Sequence, residues 1–149
     1  MKEQELIDAF ALVYKEDNYP PIAGKVLGYF YVSNKKHHTF EEIMDGIKAS
    51  KSATSKALKF LIDLEEVTFK FSEKNKRKRL FFPNYGGTKK RLEKIIIAHE
   101  TETILLKKVL KRRNSDTIEM NTLIQNIIAF NEDILDFISG KVDEHFKNE

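Results

Sequence analysis

Apolar positions recur at helical spacing through most of the chain and alternate only in one short central stretch. Leu6, Ile7, Phe10, Val13 and Tyr14 fall on one face of a predicted helix over residues 2–16. Asp17-Asn-Tyr-Pro-Pro21 interrupts it, because proline lacks the backbone donor and disfavours helix in the residue before it. Pro21 suits the first position of a second helix, running to about Val32, in which Gly24 and Gly28 lie one turn apart and predict close packing against another helix. After the polar loop Ser33–His38, Thr39 and Glu42 form a capping-box pattern that opens a short helix. Ser50 can cap the next one, over residues 50–64, which directs Ala53, Thr54, Ala57, Leu58, Leu61 and Leu64 to one side.

The period then changes. Val67, Phe69 and Phe71 alternate, as do Leu80 and Phe82, which predicts two half-buried strands around a polar turn. Beyond Pro83-Asn-Tyr-Gly-Gly87, a long helix is expected from Thr88 to about Arg113. Its residues Leu92, Ile96, His99, Thr103, Leu106 and Leu110 follow a coiled-coil-like 4-3 spacing, and Ile95, Ile97, Ile104, Leu105 and Val109 widen the apolar face. His99 and Thr103 interrupt the seam, either as hydrogen-bonded residues or as the lining of a ligand pocket. Asn114-Ser115 is expected to cap a last helix, from Asp116 to Phe137 or beyond. The fold class is therefore mostly α with a small β-wing: a winged helix-turn-helix with long N- and C-terminal helices. Three regions are expected: an N-terminal helix over 1–19, the winged motif over 20–86 and dimerisation helices over 87–149. Two helices with such broad apolar faces exceed what a small winged domain can cover. Pairing with a second copy, joined by the N-terminal helix in a C2 homodimer, is the expectation.

Charge changes the picture more than composition does. The chain of 149 residues has a net charge of only +3. Residues 50–94, however, hold 13 Lys/Arg against 5 Asp/Glu, while the remainder holds 13 against 18. On the predicted 50–64 helix the polar side carries Lys51, Ser52, Ser55, Lys56 and Lys59, with no acid before Asp63. The predicted wing, residues 72–79, has cations at five of the six positions from Lys74 to Arg79. Like charges packed this densely repel, and a phosphate backbone would relieve the repulsion and release counterions. This is the footprint expected of a protein that binds double-stranded DNA.

Other chemistry finds little support. There is no cysteine, and the adjacent His37 and His38 lack a third ligand at metal-binding spacing. Gly86-Gly87 lacks the wider pattern of a nucleotide cradle, and no Ser/His/acid spacing suggests an enzyme. No cofactor or metal is expected. No apolar run approaches the length of a membrane span, and Met1-Lys-Glu-Gln-Glu opens straight into an amphipathic helix without a signal-peptide pattern, so a cytoplasmic protein without membrane contact is the expectation.

The chain resembles the MarR-type winged-helix transcriptional regulators, most closely their GbsR-like branch. The resemblance rests on Pro20-Pro-Ile-Ala-Gly-Lys-Val-Leu-Gly-Tyr-Phe30, the helix start at Thr39–Ile43, Ala49-Ser-Lys-Ser-Ala-Thr-Ser-Lys-Ala-Leu58 and the Lys/Arg wing, and it extends over almost the whole chain. It implies a dimeric regulator on a pseudo-palindromic operator, with the 50–64 helix in the major groove. Lys51, Ser52, Ser55, Lys56 and Lys59 would be groove and phosphate contacts, and Lys74, Lys76, Arg77 and Arg79 wing contacts. The chain departs from the family pattern at Thr54, where an apolar residue is usual, and at Glu65-Glu66, where Gly-Leu is common. The GbsR-like branch also implies a small-molecule effector of the choline type. An aromatic cage could supply cation–π attraction, with Tyr14, Tyr19, Phe30, Tyr31 and Tyr85 as candidates, while the existence and identity of an effector stay open. The competing reading is a winged-helix adaptor dimer whose basic face binds an acidic protein.

Overall fold

The computed structural model describes residues 1–147, which divide into two compact units, Met1–Gly87 and a second beginning at Thr88. The first contains α1 (Glu3–Glu16), α2 (Pro21–Val32), β1 (His38–Thr39), α3 (Phe40–Ile47), α4 (Lys51–Asp63), β2 (Val67–Phe71) and β3 (Arg79–Pro83). Then follow α5 (Gly87–Arg112) and α6 (Ile118–His145). This is the expected winged helix-turn-helix: mostly helical, with one small antiparallel sheet of strand order β1-β3-β2. None of the described helices is long and apolar enough to cross a membrane.

Local chemistry explains the boundaries. Thr39 Oγ1 accepts from the Glu42 backbone N–H at 3.1 Å, and Glu42 Oε1 accepts from the Thr39 N–H at 3.3 Å, completing the capping box of α3. Ser50 Oγ accepts from the Ala53 N–H at 3.1 Å and starts α4. Between them Lys48 adopts a left-handed conformation at φ 54°, which ends α3 and turns the chain. Thr54, the departure from the family pattern, is fully buried; its hydroxyl is satisfied by donating to the Ser50 carbonyl at 2.8 Å. Glu65 stands at φ 61°, a conformation that glycine adopts more cheaply, and the exit from α4 keeps it despite the side chain.

The core of this unit is shared by every element of the motif. Val26, Ile43, Ile47, Leu61, Val67 and Phe81 are all at most 1% exposed. Each such burial contributes about 1.5–3 kcal/mol. The helix α1 packs on α2 through the two glycines. A Cβ on Gly24 would come within 2.8 Å of the Ala11 Cα, and one on Gly28 within 3.0 Å of the Phe10 Cβ. The small-residue spacing thus serves close packing of two helices, as the sequence suggests.

Two expectations need correction. The inward residue of the second strand is Phe81, 1% exposed, with Leu80 and Phe82 on the opposite side. Leu80-Phe-Phe82 is apolar throughout, so alternation cannot assign its face; the pairing of Phe69 with Phe81 does. The last helix begins at Ile118 rather than Asp116. Asn114 is occupied in a turn, its Oδ1 accepting from the Asp116 N–H at 3.1 Å, and Thr117 precedes the helix without a side-chain cap.

In the second unit α5 and α6 run antiparallel. The seam predicted for α5 turns Ile96 and Thr103 inward with Leu92, Leu106 and Leu110 half-buried, whereas His99 stays exposed. Thr103 is hydrogen-bonded twice: its hydroxyl donates to the His99 carbonyl at 2.8 Å and accepts from Asn131 Nδ2 at 3.1 Å.

Candidate nucleic-acid interface

The N-cap of α4 and the core side of that helix fix its rotation. With Thr54, Ala57, Leu58 and Leu61 buried, Lys51, Ser52, Ser55, Lys56 and Lys59 are all exposed on the opposite face. They are not equivalent. Lys59 Nζ lies 2.8 Å from Asp63 Oδ2 one turn on, so its charge is partly neutralised within the helix.

The wing is a tight turn between β2 and β3. The Ser72 N–H donates to the Lys78 carbonyl at 2.8 Å, the Lys78 N–H to the Asn75 carbonyl at 2.9 Å, and the Arg77 N–H to Asn75 Oδ1 at 3.1 Å. The one uncharged residue within the basic run, Asn75, thereby organises the tip. Lys74, Lys76, Arg77, Lys78 and Arg79 are exposed around it.

The two basic elements meet. A groove of about 310 Å³ is lined by Lys51 and Ser55 from the first turns of α4, Arg77, Lys78 and Arg79 from the wing, Phe81 beneath, and Phe40 and Glu41 from α3. Four of the nine expected contact residues thus line one groove. Ser52, Lys56 and Lys59 extend the exposed face along α4 outside it, and Lys74 and Lys76 stand at the tip. Lys78 and Glu41 line the groove without having been singled out from the sequence. Lys78 sat within the basic run, whereas only the packing of α3 beside α4 brings Glu41 there. The groove is a concave strip with four cations and one carboxylate at the N-terminal end of a helix, so its net charge favours an anion.

Behind the wing, β1 anchors β3. His38 is 1% exposed and pairs with Phe81. Its Nε2–H donates to the Lys35 carbonyl at 3.1 Å, so Nδ1 accepts from the Tyr29 hydroxyl at 3.1 Å. Burial pushes the His38 pKa below its ordinary value, outweighing the Lys35 carbonyl bond, which raises it. Burial likewise raises the Tyr29 phenol, assisted by the Glu42 carboxylate, while Lys35 beside Glu42 lowers the latter's pKa. His38 is a structural histidine. Among the described residues no group of three His, Cys, Asp or Glu could hold a metal ion.

The aromatic cage candidates separate. Tyr14 stacks on Tyr19 at 5.2 Å, and its hydroxyl meets that of Tyr31 at 2.9 Å. Phe30 turns into the core beside Tyr29 and His38, and Tyr85 is 63% exposed away from these rings. The five do not form one cage. In the second unit, His99 lines a small apolar cavity of about 110 Å³ with Ile95, Ile96, Phe130 and Ile134, beside Asn131.

No protein-family model and no curated protein sequence matches the chain. The fold is nevertheless similar to known structures. One is the crystal structure of a transcriptional regulator, with a TM-score of 0.68 at 15% identity over 98% of this chain and 99% of the other. Weaker similarities extend to the transcriptional regulator SlyA, with a TM-score of 0.42 at 15% identity over 91% of this chain and 89% of that one. An uncharacterised SlyA-like transcription regulator from Listeria monocytogenes scores 0.43 at 19% identity, over 97% of this chain and 89% of its own. At this identity the first of these establishes the winged-helix fold over the length of the chain.

Proposed function

We propose that the protein is a homodimeric, sequence-specific DNA-binding transcriptional regulator of the MarR type, with α4 entering the major groove and the basic wing on the flanking DNA. The observation that carries this reading is the convergence of Lys51, Ser55, Arg77, Lys78 and Arg79 on one groove between the start of α4 and the wing. In a recognition helix of this kind the N-terminal residues approach base edges, and the strand that separates major from minor groove passes between helix and wing. The helices α5 and α6 supply the second part of the reading. Ile97, Leu105, Ile118, Leu123, Phe130 and Phe137 are each more than half exposed in a single copy. A second copy covers them, with α1 contributing Leu12 and Val13 from its own exposed side, 69% and 60% exposed. The regulator acts in the cytoplasm, without catalysis. The GbsR-like affiliation and a small-molecule effector are the finer part of the proposal.

The test is titration of the full chain onto a duplex across a salt series. The slope of log K against log salt should be steep, about −0.9 for each phosphate neutralised. Lys51→Gln and Arg77→Gln should each flatten it by about one unit. A flat salt response, together with capture of an acidic protein by the same basic face, would establish the adaptor reading instead.

A further inference from the structure

Arg79 differs from the other cations of the interface in what lies under it. Period-2 alternation and the pairing of Phe71 with Arg79 and Phe69 with Phe81 put all four side chains on one face of the wing. The Arg79 guanidinium carbon lies 5.0 Å from the centroid of the Phe69 ring and 5.1 Å from that of Phe81. The floor is rigid. Phe81 is 1% exposed in the core, Phe69 packs against that core, and the two rings are 5.8 Å apart. Phe71 closes edge-on against Phe69 at 5.7 Å.

A guanidinium placed over aromatic rings is attracted by their faces, a contact that uses no hydrogen-bond acceptor and leaves N–H donors for a ligand. Among the described residues Arg79 has no carboxylate partner and no side-chain hydrogen bond, in contrast to Lys59 and its Asp63. The open donors belong to a residue that lines the groove with Lys51, Ser55 and Arg77. A planar fork whose orientation is fixed in advance loses less rotamer freedom when it binds two oxygens of one anion. Lysines elsewhere on the face are point charges on flexible stems and gain no such advantage.

We infer that Phe69 and Phe81 hold Arg79 as a preorganised fork for one backbone phosphodiester of duplex DNA, which makes Phe69 a positioning residue that never touches the nucleic acid. The inference rests on the DNA-binding reading and deepens it, by separating a contact set in place by the wing from the flexible cations around it.

A double-mutant cycle on the full chain tests it, with dissociation constants measured for one duplex at fixed salt. Phe69→Leu should weaken binding about three- to fivefold, the scale of an exposed cation–π contact, and Phe69→Tyr should restore it to within about twofold. In an Arg79→Gln background, Phe69→Leu should have no effect. Equal losses in both backgrounds, or no loss in the parent, overturn the inference. Should Phe69→Leu fail to fold, NMR of the unaltered chain decides: Arg79 side-chain protons should be ring-current shifted upfield in the free protein, and unshifted protons overturn the claim. The two levels fail separately. If Arg79→Gln binds DNA like the parent while Lys51→Gln is weakened, the regulator reading stands and the fork does not. If the parent binds no duplex, both fall, whatever the NMR spectrum shows.

Discussion

The two units of this chain use apolar residues in opposite ways. In Met1–Gly87 the buried side chains converge on one core, with Ile43, Ile47 and Leu61 fully buried and Thr54 and His38 buried as hydrogen-bonded polar residues. From Thr88 onward the apolar residues ring the helices. Ile96, Ile124 and Val142 are buried at the seam, whereas Ile95, Ile97, Ile104 and Leu105 on α5 alone are all more than half exposed. The first unit closes its core within one copy, although Leu12 and Val13 of α1 stay exposed. The second leaves large apolar side chains of both α5 and α6 exposed, and the proposed second copy would cover them. On the proposed reading, the unit that reads DNA holds its reading face steady by itself, and the unit that joins copies leaves its surface unfinished.

That contrast can be broken from either side. The largest effect belongs to the closed core: Leu61→Ala should cost about 2–5 kcal/mol in denaturant unfolding, because a fully buried leucine leaves a cavity. A charge on the open face acts differently. Phe130→Glu, at a residue 64% exposed in one copy, should weaken self-association at least about tenfold in sedimentation analysis while the helical circular dichroism of the winged unit is retained. An unchanged sedimentation profile would mean that this face is not the one a second copy covers. Ser50→Ala removes the acceptor that starts α4 and should cost about 1 kcal/mol, with duplex affinity falling as the first turn frays.

The smallest effect sharpens the comparison through pH. His38 is buried and neutral, its folded pKa held below its ordinary value by burial. The unfolded chain therefore takes up a proton before the folded one does. The stability contributed by His38 is full above about pH 6.5 and is lost as pH falls from there through the lowered folded pKa. Unfolding free energies of the parent and of His38→Gln, compared between pH 7.5 and 5.5, should show a steeper decline in the parent. Parallel lines would contradict the structural role assigned to this ring.

Much of the fold is written locally in the chain. Ser50, Thr39 and Glu42 declare their helices because a cap needs only residues within one turn. The Gly24/Gly28 spacing announces a close helix pair because no side chain intervenes. The basic face of α4 follows from periodicity once the core side is known. What the sequence leaves open depends on register and on distant packing. The run Leu80-Phe81-Phe82 cannot reveal its inward residue without its partner strand, and the stacking of Arg79 on Phe69 and Phe81 exists only in that register. Glu41 enters the groove because α3 packs beside α4, a relation that no spacing within α3 encodes. Tyr14, Tyr19 and Tyr31 gather where α1 meets α2, whereas Phe30 and Tyr85, equally aromatic in the sequence, are carried elsewhere.

The measurement that tests the central claim most directly is a selection of the full chain against random-sequence duplexes, read by sequencing the bound pool. The account predicts an inverted repeat whose half-sites lie one helical turn apart, about 34 Å, because two copies joined through their unfinished helices present two α4 helices to successive major grooves. A folded, self-associating chain that enriches no sequence would contradict it.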